Sequence, residues 1–273
     1  MKLYMNNQHA PSRQVTDCFN EIKSAILSYT GKTDLTCFRQ SQKSKGEIVT
    51  DIDRALERQI VSVIRRRFPK HGIEGEEGPR IESQDGHVWH IDPVDNTVGL
   101  VAGEQEVSSS IALKNGSDHV RSMVINLVNG VVYQADQNKS EKDSHRICTS
   151  NASLDDKNRP ISTCGYVNPS NIERWRDIMS VFLKNRFPLR ISGGAALDLC
   201  HVAEGERAGH ISLGAHPWDV EAGFHIVQSA GGIVEPLKRF KQRNSIAFIA
   251  SANREVHERI KQLLGQLIIF TNE

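Results

Sequence analysis

Two aspartates, Asp92 and Asp95, are spaced so that they could act together. They occur in the segment WHIDPVDNTVG, residues 89–99, a pattern typical of a buried strand that ends in a turn at Pro93. Two carboxylates this close raise each other's pKa unless a cation or a hydrogen-bond donor keeps them ionised. We therefore expect them to bind a cation that is not part of the polypeptide.

Two further acidic motifs could supply ligands to the same cation. The segment GIEGEEG at 72–78 places Glu76 and Glu77 between glycines, and HPWDVEAG at 216–223 places Asp219 at the start of a predicted helix. Taken singly, the glutamates could be a charged loop, the aspartate pair an Asx-type turn and Asp219 a helix cap. Taken together, the motifs offer at least four carboxylates with no competing Cys or His ligand pattern. Such hard oxygen ligands suit Mg²⁺, whose coordination shell a substrate phosphate would complete. Two or more such ions would stabilise an in-line displacement at phosphorus.

Hydrophobic periodicity predicts the elements that must position these carboxylates. Apolar residues recur at helical spacing before the Gly31 stop and again before Pro69, and the Asn129-Gly130 pair between two apolar runs predicts a β-hairpin. The predicted helices cover residues 12–29, 52–68, 170–184, 194–206, 253–267 and the segment from Asp219 to the Gly231-Gly232 stop. The predicted strands cover residues 87–92, 107–114, the two arms of the hairpin, 232–237 and 245–251.

This mixture predicts an α/β (α+β) fold of layered sheets and helices. The polar stretch Asp136–Arg159 contains few large apolar residues and is predicted to be an exposed connection between two halves, with a boundary near residue 145. Residues 1–145 would then be an α+β half with the glutamate and aspartate motifs. Residues 146–273 would be an α/β half with Asp219, and the two halves would make one inseparable catalytic unit.

The composition shows no bias toward polyanions or membranes. The chain has 273 residues, a net charge of +1 and 25% charged residues. No stretch approaches a membrane span, and the first 14 residues lack an apolar signal region. The five scattered cysteines contain no C-x-x-C pair, which favours a reducing, cytoplasmic location. The basic run KRFKQR at 238–243 is interpreted as a solvated turn, with nucleic-acid contact as the alternative.

The acidic motifs resemble those of a known family. In order and spacing, GEE at 75–77, DPVDNT at 92–97 and WDVEAG at 218–223 resemble the three signatures of the inositol monophosphatase family of Mg²⁺-dependent, lithium-sensitive phosphatases. Three further segments extend the similarity to roughly residues 40–255: KSKGEIVTDID at 43–53, SGGAALDLCHVAEG at 192–205 and AGGIVE at 230–235. The resemblance implies a layered αβαβα sandwich of the sugar-phosphatase type and a homodimer.

The resemblance also implies roles for individual residues. The expected ligands of two or three Mg²⁺ ions are Glu76, Asp92, the Val94 carbonyl, Asp95 and Asp219. The expected catalytic residues are Glu76 and Thr97, which would orient the attacking water, and Asp53, which would lie beside Thr97. The expected substrate-binding residues are Asn96 and Thr97, through their backbone N–H groups, and Gly193, Gly194, Ala195, Ser212 and Asp219.

Several positions depart from the family pattern. Asn96 stands where the family has glycine, and Gly99-Leu100 stands where it has N-F. Ser212 replaces a glutamate that inositol-specific relatives direct toward the sugar hydroxyls, and Glu221 replaces a small residue. Because asparagine adds a side chain beside the phosphate, we expect metal binding to be retained and turnover of inositol 1-phosphate to be slow or shifted to another monoester.

The predicted function is Mg²⁺-dependent hydrolysis of a small phosphorylated polyol, with inositol monophosphate as the first candidate, by in-line attack of metal-activated water. The alternatives are a 3′(2′),5′-bisphosphate nucleotidase, a fructose-1,6-bisphosphatase, or a catalytically weak binding protein on the same scaffold, for which Asn96 is the supporting feature. The predicted partners are the phosphomonoester and a second copy of the chain, and neither a membrane nor a nucleic acid is expected.

Overall fold

The computed structural model describes residues 11–44, 47–164 and 171–269. The helices are α1 (Arg13–Thr30), α2 (Asp51–Arg67), α3 (Thr97–Ala102), α4 (Ile172–Lys184), α5 (Ala195–Ala203), α6 (Pro217–Ser229) and α7 (Arg254–Leu264). The first nine strands are β1 (Gln40–Ser44), β2 (Glu47–Thr50), β3 (Gly72–Gly75), β4 (His87–Asp95), β5 (Ser108–Asn115), β6 (Asp118–Asn126), β7 (Val132–Asp136), β8 (Lys139–Lys142) and β9 (His145–Ile147). The remaining strands are β10 (Ile161–Cys164), β11 (Leu189–Ser192), β12 (Gly209–Ala215), β13 (Ile233–Phe240) and β14 (Ser245–Ser251).

Two sequence predictions fall partly outside the described residues. Residues 45 and 46 belong to the lysine-containing loop expected from the family resemblance, and residue 170 is the predicted start of the helix observed as α4. Among the helices that are described, none has both the length and the apolar composition needed to cross a lipid bilayer.

The helices and sheets stack in five layers, which confirms the predicted αβαβα sandwich. α1 and α2 cover one face of a seven-stranded sheet, where Phe19, Ile60 and Trp89 belong to one hydrophobic cluster. α5 and α6 fill the space between this sheet and a five-stranded sheet, and α4 and α7 cover the outer face of the five-stranded sheet. β14 shows the alternation of a buried strand, because Phe248 packs in the central layer whereas Ile249 packs against α4 and α7.

Strand order places the ends of β3 and β4 together. The first sheet has the order β3-β4-β5-β6-β7-β8-β9, in which β3 and β4 are parallel and the other pairs antiparallel. The second sheet has the order β11-β10-β12-β14-β13, with β10 parallel to both of its neighbours. Since parallel neighbours end at the same edge of a sheet, the residues that follow β3 lie beside those at the end of β4.

β8 and β9 correct the expectation of an exposed connection over Asp136–Arg159. They lie inside this polar stretch and pair antiparallel with β7 and with each other. An edge strand is held by main-chain hydrogen bonds and can carry polar side chains, so its sequence lacks an apolar signal. The predicted boundary near residue 145 falls where β9 begins, and the first sheet continues to Ile147.

Candidate active site

The four carboxylates expected to bind metal interact electrostatically near the edge where β3 and β4 end. The N–H of Glu76 donates to the Ile91 carbonyl (3.1 Å), so the GEE segment continues alongside β4 beyond the end of β3. Asp92 and Asp95 lie at the end of β4 and are buried. Asp219 lies in the first turn of α6. Three segments that are far apart in the sequence therefore contribute to one group of carboxylates.

Burial and mutual repulsion perturb this carboxylate cluster, defined as Glu76, Asp92, Asp95 and Asp219. Burial raises the pKa of Asp92 well above its usual value, and the charges of the other three members raise it further. Burial also raises the pKa of Asp95 to about 6, although backbone N–H groups at the start of α5 oppose this shift. A cluster of hard oxygen donors of this kind fits a divalent cation, because a nearby positive charge favours the ionised form.

The segment 193–195 lies against Asp95. The N–H of Ala196 donates to Asp95 Oδ2 (2.8 Å), which connects the end of β4 to the start of α5. A Cβ on Gly194 would lie 2.5 Å from the same oxygen, so this position has no room for a side chain. The structure thus brings a segment that was expected to bind substrate to the carboxylate cluster.

Thr97 and Asp53 form a hydrogen-bonded pair beside the cluster. Thr97 Oγ1 lies 2.9 Å from Asp53 Oδ1 and 3.0 Å from the Val94 carbonyl oxygen, and its single hydrogen can be donated to one of them at a time. Asp53 Oδ2 accepts from the Thr50 N–H (2.9 Å) in a capping box at the start of α2. Burial raises the pKa of Asp53, and donation by Thr50 and Thr97 opposes that shift. α2 therefore holds the Thr97 hydroxyl in place.

Asp92 and Asp219 also make the kind of main-chain contacts, in a turn and at a helix start, that were considered as alternatives to metal binding. Asp92 Oδ1 accepts from the Val94 N–H (2.9 Å), as in an Asx turn. Asp219 is the third residue of α6 and not its N-cap, because its Oδ2 accepts from the N–H of the N-cap residue His216 (2.8 Å) in a capping box. These contacts are compatible with metal binding, because each carboxylate has a second oxygen.

Asn96 has a backbone conformation that favours glycine. Its φ of 71° and ψ of 52° lie in the left-handed region, which asparagine tolerates better than most residues. Its Nδ2 donates to Glu104 Oε2 (3.0 Å) and to the Glu106 carbonyl (2.9 Å), and its Oδ1 accepts from the Gly99 N–H (2.9 Å). A Cβ on Gly193 would overlap this amide. The Asn96 side chain thus fills the space beside an expected substrate-binding residue.

Ser212 and Glu221, which also depart from the family pattern, make contacts within the sandwich. Ser212 is buried on β12, and its Oγ accepts from the Gly214 N–H (3.3 Å) in the same strand. Glu221 Oε2 lies 2.8 Å from His119 Nε2 and 2.9 Å from Lys114 Nζ. Although burial acts in the opposite direction, these two side chains lower the pKa of Glu221 to about 2.

Glu57, which no motif in the sequence indicated, supports the GEE segment from α2. Its Oε2 accepts from the Glu77 N–H (2.8 Å). A Cβ on Gly75 would lie 2.8 Å from Glu57 Oε1, and a Cβ on Gly78 would lie 2.6 Å from it, so both glycines make room for this carboxylate. The available signal was its position four residues after Asp53, on the face of α2 that is buried.

The serine run 108–110 on β5 also belongs to the site, although no motif indicated it. Ser109 Oγ donates to the Pro93 carbonyl, and Ser110 Oγ donates to the Trp218 carbonyl (2.9 Å). Ser108 is paired with Asp95 in the strand register. Three consecutive hydroxyls in a predicted buried strand were the signal, since buried polar groups must find partners. β5 therefore connects the aspartate turn to the start of α6.

Comparison with known proteins agrees with this architecture. The chain matches the inositol monophosphatase family over residues 13–268. A Haemophilus influenzae relative described as Nus factor SuhB is 31% identical over 240 residues, which cover 82% of this chain and 86% of that protein. A Thermotoga maritima relative described as fructose-1,6-bisphosphatase/inositol-1-monophosphatase is 32% identical over 228 residues, which cover 81% of this chain and 84% of that protein.

A solved structure shares the fold. It is described as an IMPase/NADP phosphatase complexed with Mg²⁺ and phosphate, and it aligns with a TM-score of 0.73 at 20% identity, covering 92% of this chain and 93% of that one. The layered sandwich is therefore of the sugar-phosphatase type. The chain belongs to the inositol monophosphatase family, whose scaffold is that of phosphatase-type enzymes.

Proposed function

We propose that the chain is a Mg²⁺-dependent phosphomonoesterase that acts on a small phosphorylated polyol, with inositol monophosphate as the first candidate. The observation that carries this proposal is the carboxylate cluster, in which Asp92 and Asp95 are buried and the charges of Glu76, Asp95 and Asp219 raise the pKa of Asp92. Family membership supports it, as does the related fold that was solved with Mg²⁺ and phosphate.

The metal ligands we propose are the expected ones: Glu76, Asp92, Asp95, Asp219 and the Val94 carbonyl, holding two or three Mg²⁺ ions. When bound, these ions would neutralise phosphate charge and lower the pKa of a coordinated water. Thr97 and Glu76 would orient the attacking water. If the Thr97 hydroxyl donates its hydrogen to Asp53 (2.9 Å), its oxygen can accept a hydrogen bond from that water. The Val94 carbonyl oxygen would then be available to bind an ion.

The substrate side of the site is proposed from the contacts around Asp95. The backbone N–H groups of Asn96 and Thr97 would donate to phosphate oxygens, and the segment 193–195 would contact the rest of the substrate. Ser212 and Asp219 would lie near the hydroxyl groups of a polyol. Positioning and charge neutralisation of this kind meet the main needs of phosphoryl transfer.

A homodimer is proposed from two exposed apolar side chains. Ile191 lies on the edge strand β11 and Val98 lies at the start of α3, and they are 59% and 60% exposed, respectively. Asn96 and Gly193, which are in contact, bring the two segments together. Burial of these side chains against a second copy would remove apolar surface from water.

A binding protein without efficient chemistry is the second candidate function. Asn96 beside Gly193 favours it, and the Haemophilus influenzae relative is described as a Nus factor. The expectation that nucleic acid is not a partner stays a prediction. Inositol phosphates, sugar bisphosphates and nucleotide bisphosphates present the same phosphate group, so the fold does not choose between them.

A panel of phosphate esters separates these candidates. We expect phosphate release from at least one of inositol 1-phosphate, fructose 1,6-bisphosphate and adenosine 3′,5′-bisphosphate when Mg²⁺ is present, because the carboxylate cluster needs a cation to hold the phosphate. Release should stop in EDTA and should decrease in lithium. If none of the three esters were hydrolysed, the binding protein would become the better proposal.

We expect the Asn96→Gly variant to hydrolyse its substrate faster than the parent and to be less stable. Glycine keeps the left-handed backbone, and removal of the amide opens space beside Gly193. The loss of its hydrogen bonds should cost about 1–2 kcal/mol of unfolding free energy. Phosphate release and urea unfolding are measured on the same preparation. A slower variant would mean that the contacts to Glu104 and Glu106 matter more than crowding.

A further inference from the structure

We propose that residues 238–244, here called the basic loop, bind the second phosphate of a bisphosphorylated small molecule whose first phosphate lies at the carboxylate cluster. This inference rests on the proposed phosphatase function and narrows its substrate class. A phosphomonoester without a second anionic group would not use the basic loop.

The basic loop carries four cations within six residues, of which Arg239 lies 4.0 Å from the buried Glu221 carboxylate. Lys238 and Arg239 lie near the end of β13, and Lys241 and Arg243 lie in a single turn of 3₁₀ helix before β14. Residues 241–244 are exposed. In a chain with a net charge of +1, this is a local concentration of positive charge, which attracts anions to one place on the surface.

Asn244 connects the basic loop to two motifs that supply the carboxylate cluster. Its Nδ2 donates to Glu74 Oε1 (2.5 Å), and its carbonyl oxygen accepts from His216 Nδ1 (2.9 Å). Glu74 precedes Glu76 by two residues, and His216 precedes Asp219 by three. Residues two apart in an extended segment are separated by about 7 Å. Asn244 thus holds the basic loop beside the two segments that supply Glu76 and Asp219, which places it next to the carboxylate cluster.

Arg80 adds a further cation on the same side. Its Nη1 lies 3.9 Å from Glu74 Oε2, and its side chain is 61% exposed. Glu74 is therefore approached by both Asn244 and Arg80. A basic rim beside an acidic cluster suits a ligand with one phosphate at a bound cation and another at the rim.

The number of cations favours a small ligand over a nucleic acid. The affinity of a protein for nucleic acid grows with the number of phosphates that its Lys and Arg side chains neutralise, and this loop with Arg80 offers about five such side chains. The neighbouring carboxylates would also repel a long phosphate backbone that passes over them.

The test compares the double variant Lys241→Gln/Arg243→Gln with the parent on fructose 1,6-bisphosphate, adenosine 3′,5′-bisphosphate and inositol 1-phosphate. We expect KM for the bisphosphates to rise about tenfold, as is typical when charge-assisted contacts are lost, and KM for inositol 1-phosphate to change less than about twofold. Lys184→Gln/Arg186→Gln, at the end of α4, is a control with the same charge change and spacing. Asn244→Gly, which keeps the left-handed backbone (φ 45°) but removes the amide, should act in the same direction as the loop variant.

Equal changes in KM for the monoester and the bisphosphates, or no change, would overturn the proposal. The proposal would also be overturned if the loop variant no longer bound a single-stranded RNA 20-mer that the parent binds, while its KM for the bisphosphates was unchanged. The loop would then be a nucleic-acid site. If the parent hydrolysed no ester, the proposed function would fail by itself. The binding of adenosine 3′,5′-bisphosphate to the parent and to the loop variant would then be measured by calorimetry in Mg²⁺. Equal Kd values for the two proteins would overturn this inference independently of the proposed function.

Discussion

Replacing Asp92 with Asn is expected to lower Mg²⁺-dependent phosphate release by about a thousandfold, which corresponds to about 4 kcal/mol of transition-state stabilisation. Asp92 is one of two buried members of the cluster, and its pKa is raised by the charges of all three others, so it is the carboxylate that most needs a cation. An amide has nearly the same shape but one oxygen and no charge. The measurement is kcat/KM for the best ester in the panel at saturating Mg²⁺.

The same variant should be at least as stable as the parent when no metal is bound. The introduced amide would still offer an oxygen to the Val94 N–H, and the substitution would remove one of the repelling charges. In EDTA we therefore expect Asp92→Asn to unfold at an equal or higher temperature than the parent. Added Mg²⁺ should raise the Tm of the parent and not that of the variant.

Asp118→Asn, at an exposed position on β6, is the matched control and should behave as the parent does in both assays. Full activity of Asp92→Asn, or the same Mg²⁺-induced rise in its Tm, would contradict the assignment of this residue as a metal ligand.

The second large effect is expected from Gly193→Ala. The new methyl group would overlap the Asn96 amide, which cannot withdraw without breaking its hydrogen bonds to Gly99 and to the Glu104–Glu106 segment. Overpacking of this kind costs about 1–3 kcal/mol of unfolding free energy. Because Asp95 and Thr97 flank Asn96, we also expect kcat/KM to fall about a hundredfold, the effect of a displacement of roughly 1 Å at a catalytic site.

The clash can be tested by rescue. In the Asn96→Gly background, Gly193→Ala should lose much less stability and activity, since the amide that it would overlap is gone. The four proteins form a double-mutant cycle, and the expected coupling free energy is about 1 kcal/mol or more in the rescuing direction. Additive effects in the cycle would show that Gly193 is required for a reason other than Asn96.

The long helices were predicted within one or two residues because several local signals agree there. The segment predicted at 12–29 is observed as α1 (Arg13–Thr30), with Ser12 accepting from the Val15 N–H as its cap. The segment predicted at 52–68 is observed as α2 (Asp51–Arg67). Apolar residues at a spacing of three and four, a cap and a terminal breaker all act within a few residues, so they can be read locally.

The short and edge strands could not be predicted in the same way. β8 and β9 carry polar side chains, β10 and β11 have four residues each, and the partners of β10, β11 and β12 are distant in the sequence. Such strands form because a neighbouring strand is already in place, and their own residues carry little signal. Glu57 was missed for a related reason, since its partner Glu77 lies 20 residues away on another element.

The sequence by itself determined the chemistry that the site can perform: aspartates and glutamates at strand ends and a helix start, glycines that leave room beside them, and Thr97 two residues after Asp95. Only the tertiary structure decided that these groups meet. Asp95 and Ala196, which share a hydrogen bond, are 101 residues apart, and Ser110 and Trp218 are 108 apart. Their convergence depends on the parallel pairing of β3 with β4 and on the packing of α5 and α6 between two sheets. This packing buries apolar surface from segments that are far apart in the sequence, so it cannot be predicted from any one of them.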